Sequence, residues 1–330
     1  MYKRIQRVLG TSAVAVLSSA LILVVGGRPG LAQVDEGFSA QNFQPPIDRF
    51  GYVTLNGARS LEPGEVFVAG YIDYSEDPLD LRDIREGVIE EMTFVHGVLS
   101  VGLLEVGEKG GLSLGVVVPY ALEMEGFGRD PDTGDPETFV PPRVDLPDGR
   151  LADIRGELKL VLLDRSELLG VGLRAWGTAP TGEDKYFLSN DERFGAGGGL
   201  ILEKEIGWLR IGAEADYEWL EGRTVISRVR FVEPGDPEPK LLTVDDKLHL
   251  RGGVAARLGI DDLWLVVEAH HWARATHLYH ARRESPIELG AALRFDRRVL
   301  VILGASTGEL NKGAVGAAEH RFFASLGVSF

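Results

Sequence analysis

The chain has 330 residues, carries a formal net charge of −15 and contains no cysteine. Without cysteine there can be no disulfide framework, cysteine-based zinc site, thiol nucleophile or lipid attachment through sulfur. The acidic balance, with a sequence pI of about 5.0, repels phosphate backbones, and no basic stripe with interleaved aromatics offsets it. Nucleic acid is therefore excluded as a partner.

Residues 1–32 read as a signal peptide. Lys3, Arg4 and Arg7 form a positive start, Val8 to Val25 is mostly apolar, and Gly26-Gly27-Arg28-Pro29-Gly30 breaks any helix before Gly30-Leu31-Ala32. That last triplet is a small-x-small cleavage pattern preceding Gln33. An uncleaved anchor helix is the competing reading, since about 18 apolar residues just reach across a bilayer. Residues 33–64 hold Pro45, Pro46 and Pro63 and read as a periplasmic N-terminal arm, or as a piece folded into a barrel mouth.

From Glu65 to Phe330 the pattern settles on a period of two, over segments of about ten residues, the length a tilted strand needs to cross a bilayer. In Trp208–Glu218, Leu209, Ile211, Ala213, Ala215 and Tyr217 share one face, and Arg210, Gly212, Glu214, Asp216 and Glu218 the other. In Leu248–Leu258 the apolar set alternates with His249, Arg251, Gly253, Ala255 and Arg257. Alternation recurs near 152–162, 169–177 and 287–295. Short connections at 107–110, 164–167, 205–207, 259–262 and 296–298 alternate with long ones near 76–87, 126–149, 178–193, 220–245, 276–284 and 307–319. A soluble Greek-key sandwich has no reason to alternate its loops this way. The expected fold is all-β: a transmembrane up-and-down antiparallel barrel of about twelve strands, closed so that no backbone polar group faces lipid unpaired.

If the apolar faces meet lipid, the residues turned to the lumen include Asp153, Arg155, Glu157, Lys159, Arg174, Arg210, Glu214, Asp216, Arg251, Arg257, Glu268, Arg274, Glu288 and Arg294. Both signs occur, so the interior either pairs its charges and closes or leaves a selective path. Gly195, Gly197, Gly198 and Gly199 lie on a strand, where small residues permit bending, and are no phosphate cradle. Tyr52, Tyr74, Tyr120, Trp208, Trp219, Trp264 and Trp272 are candidates for interfacial girdles, while alternation turns Trp176 inward.

The chain ends with Phe322, Ala324, Leu326, Val328 and Phe330 on one apolar face. This resembles the closing strand of bacterial outer-membrane proteins, which implies recognition of Leu326, Val328 and Phe330 by the barrel assembly machinery, and outer-membrane lipid and lipopolysaccharide as surroundings. Gln41-Asn42-Phe43-x-Pro45, Gly51-Tyr52, Gly57-Ala58-Arg59-Ser60-Leu61, Asp73-Tyr74 and Pro78-Leu79 resemble the barrel start of OmpA-family proteins from deltaproteobacteria and myxobacteria. Ala152-Asp153-Ile154-Arg155, Glu157-Leu158-Lys159 and Pro180-Thr181-Gly182 are similar to transporters of the MetA-pathway phenol degradation type. Both resemblances imply barrels of about twelve strands. The calcium repeats and peptidoglycan-binding domain of the OmpA-type relatives have no counterpart before Phe330 and are not carried over.

Candidate chemistry outside the lumen is sparse. Asp130, Asp132 and Asp135 alternate with a turn glycine and offer oxygen ligands for calcium in a long loop, against the plainer reading of a solvated acidic loop. No other cofactor is expected. The proline-rich acidic run 233–238 reads as a solvated loop. His270 and His271 are neighbours on a strand and point to opposite faces, whereas His277 and His280 fall in a loop where they could share a metal. Ser189-Asn190-Asp191 has no histidine beside it in sequence, so an outer-membrane hydrolase is the weakest of three functional expectations. The first is a channel or transporter for a small solute. The second is a structural or surface-interaction barrel with a salt-bridged, closed lumen.

Overall fold

Alternation becomes strand wherever a side chain must choose between hydrocarbon and an enclosed polar interior. We describe the result from a computed structural model, which describes residues 42–80, 87–125, 149–182, 188–189, 193–220, 224–231, 240–244, 246–260, 262–275, 286–308 and 317–330. The signal segment, residues 33–41, the acidic run at Asp130, Asp132 and Asp135, the 233–238 cluster, Asn190, Asp191, His277 and His280 lie outside the described residues.

In chain order the strands are β1 (Val66–Asp80), β2 (Gly87–Val106), β3 (Gly110–Glu125), β4 (Arg150–Leu151), β5 (Ile154–Leu163), β6 (Gly170–Ala179), β7 (Gly195–Ile206) and β8 (Leu209–Leu220). They continue with β9 (Thr224–Phe231), β10 (Lys240–Val244), β11 (Lys247–Arg257), β12 (Leu263–Arg274), β13 (Ile287–Asp296), β14 (Val299–Thr307) and β15 (His320–Ser329). Twelve of them form the barrel. Every neighbour is antiparallel, and β1 pairs with both β2 and β15, so the sheet closes on itself and leaves no free edge. The additions lie at the long-loop end: β4 extends the pairing of β3, and β9 with β10 makes a separate hairpin within the expected 220–245 connection.

The short turns carry the residues that tight reversals require. Gly107, Gly207 and Gly259 adopt φ of 66°, 59° and 76°, a region open to glycine at no steric cost. Phe67 pairs with Ser329 and Val299 with Val328 at this same end, where Phe330 and Val66 exchange main-chain hydrogen bonds. The C-terminal strand therefore completes the cylinder by seating between β1 and β14.

Burial follows the expected faces. Along β8, Arg210, Gly212, Glu214, Asp216, Glu218 and Leu220 are buried, while Ile211, Ala213, Ala215, Tyr217 and Trp219 are exposed. Leu265 and Val267, Leu289 and Leu293, Leu303, Phe322 and Leu326 continue an apolar exterior from strand to strand. A water-soluble surface does not carry an apolar band of that extent, and hydrocarbon is the solvent that matches it. Among the aromatics, Trp208, Trp219 and Tyr120 face outward. Trp176, Trp264 and Trp272 are buried inside, which corrects the girdle expectation for Trp264 and Trp272. Tyr52 is fully buried in the lumen and is no girdle residue either.

The placement of the N-terminal segment settles more than any strand. Of the two positions open to it, arm or barrel insert, residues 42–64 take the second. They run inside the cylinder, with Phe43, Ile47, Phe50, Tyr52, Val53, Leu55 and Leu61 buried against the wall. The periplasmic-arm expectation is corrected for this stretch. An interior lined by charged side chains cannot stay dry and unpaired, and this segment supplies the missing partners.

Candidate functional site: a lumen filled by its own N-terminal segment

The wall meets the segment in three ways, and each begins from a residue type that alternation turned inward. Cationic side chains donate to its carbonyls. Arg155 on β5 reaches Pro45 O at 2.6 Å, Arg210 on β8 reaches Phe50 O at 2.8 Å, and Arg294 on β13 reaches Gly51 O and Tyr52 O at 2.6 and 3.1 Å. Arg294 also donates to Arg49 O, and Ser100 on β2 to Ile47 O at 2.5 Å. Carboxylates, in turn, accept from its amides. Glu268 on β12 takes Val53 N and Thr54 N at 3.0 Å and Leu55 N at 3.2 Å, along with the Thr54 hydroxyl. Glu214 on β8 takes Asn56 N at 2.8 Å, and Glu203 on β7 takes Ala58 N at 2.7 Å. Hydrogen bonds of this kind, with one partner ionised, contribute about 1.5–3 kcal/mol each.

The third contact is shape. A Cβ placed on Gly115 would lie 2.8 Å from Ile47 Cβ, and one on Gly212 or Gly253 would lie 3.0 Å from Leu55 Cδ2. Gly212 and Gly253 are register partners on β8 and β11, so together they form one niche for Tyr52 and Leu55. Burial in that niche raises the Tyr52 phenol far above its ordinary range, with the Glu203 carboxylate adding to the effect. The Arg210 guanidinium lies 4.7 Å from the Tyr52 ring centroid and 5.5 Å from that of Trp264, sandwiching the segment against the wall.

Above this the wall pairs with itself. Arg174 reaches Glu157 at 2.9 Å and Glu214 at 2.5 Å, and Arg251 reaches Glu214 at 2.8 Å and also binds Asp216. Arg155 adds Glu157 at 3.4 Å, while Arg321 joins Asp73 and Glu288 at 2.8 and 2.9 Å. Asp73 also meets His96 at 2.5 Å. Lys159 is fully buried and binds Asp48 of the segment at 2.6 Å. Burying these charges singly would cost several kcal/mol each, so pairing is obligatory.

The inward set expected from alternation is brought together with few departures. Arg155, Glu157, Lys159, Arg174, Arg210, Glu214, Asp216, Arg251, Glu268 and Arg294 are all buried in the lumen. Glu288 and Arg274, at the long-loop ends of their strands, are half-buried, as is Asp153, which accepts from Ser189 Oγ at 3.1 Å. Arg257 departs from the expectation. It lies at the short-turn end of β11, exposed, with its guanidinium 4.8 Å from the Trp264 ring centroid. Leu326 and Phe330, on the outward face of β15, are exposed, and Val328 is half-buried. His270 turns inward and stacks between His249 and Trp272, while His271 bonds Pro286 O. No cluster of three or more metal-ligating side chains occurs among the described residues.

Asp48 lies in the segment, outside any alternating run, whereas Asp73, Glu203 and Arg321 follow the alternation of β1, β7 and β15 and join the inward set. The cross-strand register exposes a further signal. Glu268 lies opposite Gly253 and Gly290, Lys159 opposite Ser113 and Arg174, and Arg294 opposite Trp264 and Ile302. None of these three charges faces a counter-ion in register on a neighbouring strand, and the segment supplies a partner to each, as it does to Arg155, Arg210, Glu203 and Glu214; Arg294 also pairs with Asp296 on its own strand at 3.0 Å. A cavity of about 30 Å³ is lined by Asn42, Phe43, Thr54, Glu268, His270 and Ser306, among others, which is room for about one water.

No protein-family model matches the chain, and no curated protein matches it by sequence. Solved outer-membrane barrels do match its structure. An outer-membrane channel from Pseudomonas putida F1 superposes with a TM-score of 0.55 at 12% identity, covering 83% of this chain and 98% of that one. The NanC porin gives a TM-score of 0.43 at 10% identity over 80% and 98% of the two chains. A deletion mutant of TodX, a monoaromatic hydrocarbon channel, gives 0.42 at 10% identity over 89% and 98%. At these identities the likeness speaks to the fold: a closed antiparallel twelve-stranded barrel of the outer-membrane type.

Proposed function

We propose that the chain is an outer-membrane channel for a small solute, held shut by its own residues 42–64. The observation that carries this reading is how the segment is bound. A barrel built only to be closed could pair its charges from strand to strand, as Arg251 does with Glu214. Glu268 and Lys159 depend instead on a strip of chain that belongs to none of the twelve barrel strands, and Arg294 on that strip together with Asp296 of its own strand. The Pseudomonas putida F1 protein of the same fold is an outer-membrane channel, and the motif likeness to phenol-degradation-type transporters adds support for a solute. The apolar exterior of the barrel supports the outer membrane as its location.

A second reading, a permanently closed structural barrel, is favoured by the wall-to-wall cluster of Glu157, Arg174, Glu214 and Asp216. An engineered disulfide separates the two. The chain has no cysteine of its own, so Ile47→Cys with Gly115→Cys gives one defined pair. Their Cβ positions stand 2.8 Å apart and need to separate by roughly 1 Å to reach disulfide geometry. In planar bilayers the reduced protein should show channel openings that oxidation abolishes. Silence in both states, and again with Tyr52→Ala, would favour the closed barrel.

A further inference from the structure

The groups that hold residues 42–58 recognise main chain far more than side chains. Carbonyls of residues 45, 47 and 49–52 meet Arg155, Ser100, Arg210 and Arg294, and amides of residues 53–56 and 58 meet Glu268, Glu214 and Glu203. Side-chain partners are fewer: Gln44 on Arg251, Asp48 on Lys159, Thr54 on Glu268 and Asn56 on Glu214. From this arrangement we infer that the solute class of the lumen is the short oligopeptide, read through its backbone and taking the place of the N-terminal segment. The inference rests on the channel reading above and names its substrate.

Carbonyls and amides are common to every peptide whatever its sequence, so a wall that reads them selects the class and not a member of it. A sugar offers hydroxyls but no amide pattern, and a hydrocarbon or phenol leaves the buried carboxylates and guanidiniums unsatisfied, at a cost that favours the peptide strongly. The polarity of the wall adds a direction. Donors cluster along the 45–52 stretch and acceptors along 53–58. A free peptide carries a carboxylate for the first and an ammonium for the second, each gaining a charge-assisted partner.

The test uses Tyr52→Ala/Leu55→Ala, which loosens the segment from the Gly212–Gly253 niche and leaves every wall group in place. Gly115→Val, which evicts Ile47 from the wall side, is the second variant should the first fail to give a heat-modifiable barrel. Single-channel current in planar bilayers is recorded with a glycine–serine hexapeptide, the same peptide N-methylated along its backbone, a trisaccharide of similar mass, and phenol. The hexapeptide should interrupt the current, and N-methylation or an added Glu268→Gln should weaken the block by about tenfold. The sugar and phenol should leave it unchanged. Current that flows but is blocked equally by both peptides, by neither, or by phenol instead overturns the peptide inference while the channel reading stands. Two folded variants that never conduct overturn both.

Discussion

Thr54 offers both its amide and its hydroxyl to Glu268, a carboxylate 214 positions away on β12. Val53 and Leu55 add their amides to the Oε2 oxygen of the same carboxylate, at 3.0 and 3.2 Å. The turn thus wraps an anion that has only glycines, Gly253 and Gly290, beside it in the sheet. Glu268→Gln keeps the volume but turns an amide group toward donors that need an acceptor. The loss should be about 1–3 kcal/mol of segment docking. Trypsin cleavage after Arg49 reads this directly, because Arg49 is held near Glu65 and over the Phe50 ring in the docked state. Glu268→Gln should speed that cut while the barrel itself stays heat-modifiable. An unchanged rate would mean that the amide cradle does not hold the segment.

Lys159 and Asp48 form a second attachment of a different kind, a fully buried pair at 2.6 Å. Lys159→Met leaves Asp48 charged and without its partner in the interior, and should cost about 3–5 kcal/mol. Asp48 also accepts from Phe50 N at 2.9 Å, which Asp48→Asn can preserve. The double variant should therefore recover most of the loss, measured as the midpoint of heat-modifiability on gels. If the double variant is no better than Lys159→Met, the pair is not what fixes the segment at this level.

The glycine niche is testable from the wall side. A valine at Gly212 would press on the Tyr52 ring and on Leu55 Cδ2, each 3.0 Å from the new Cβ. Because the two residues belong to the segment and not to the sheet, the segment should shift and the barrel should not. Gly212→Val is expected to raise Tyr52 exposure to collisional quenchers of tyrosine fluorescence, read against a Tyr52→Phe background, with barrel stability within about 1 kcal/mol of the parent. At Gly252 on β11, next to Gly253 and on the opposite face, an added Cβ meets nothing within 4 Å, so Gly252→Val serves as the control.

How much of this could be read from the residues divides along the range of the contacts. The strand faces of β8 and β11 follow from neighbours two apart, and alternation placed Arg210, Glu214 and Arg251 correctly because that signal is local. Arg257 escaped it because the last residue of a strand is past the enclosed interior and can turn along the rim. The docking of residues 42–64 had no such signal. Its segment has no periodicity, and its partners are remote in sequence, as with Arg155 to Pro45 at 110 positions and Arg49 to Arg297 at 248. The register would have betrayed it: an inward glutamate between two glycines, and an inward lysine between a serine and an arginine, demand a partner from outside the sheet.

The exterior makes the remaining prediction, because lipid charges a different cost at different depths. Val267 is 51% exposed on β12, in register with Val254 and Ala291 in the middle of neighbouring strands. Val299 is 41% exposed but is the first residue of β14, at the short-turn end. An arginine at Val267 would sit deep in hydrocarbon and should destabilise the inserted barrel by about 2–4 kcal/mol, whereas one at Val299 should cost about 0–1 kcal/mol because its guanidinium reaches the interface. Refolding each variant into lipid vesicles under denaturant titration gives the two values on one scale. Equal penalties at the two sites would show that depth does not govern them, and penalties near zero at both would mean that this face does not meet hydrocarbon.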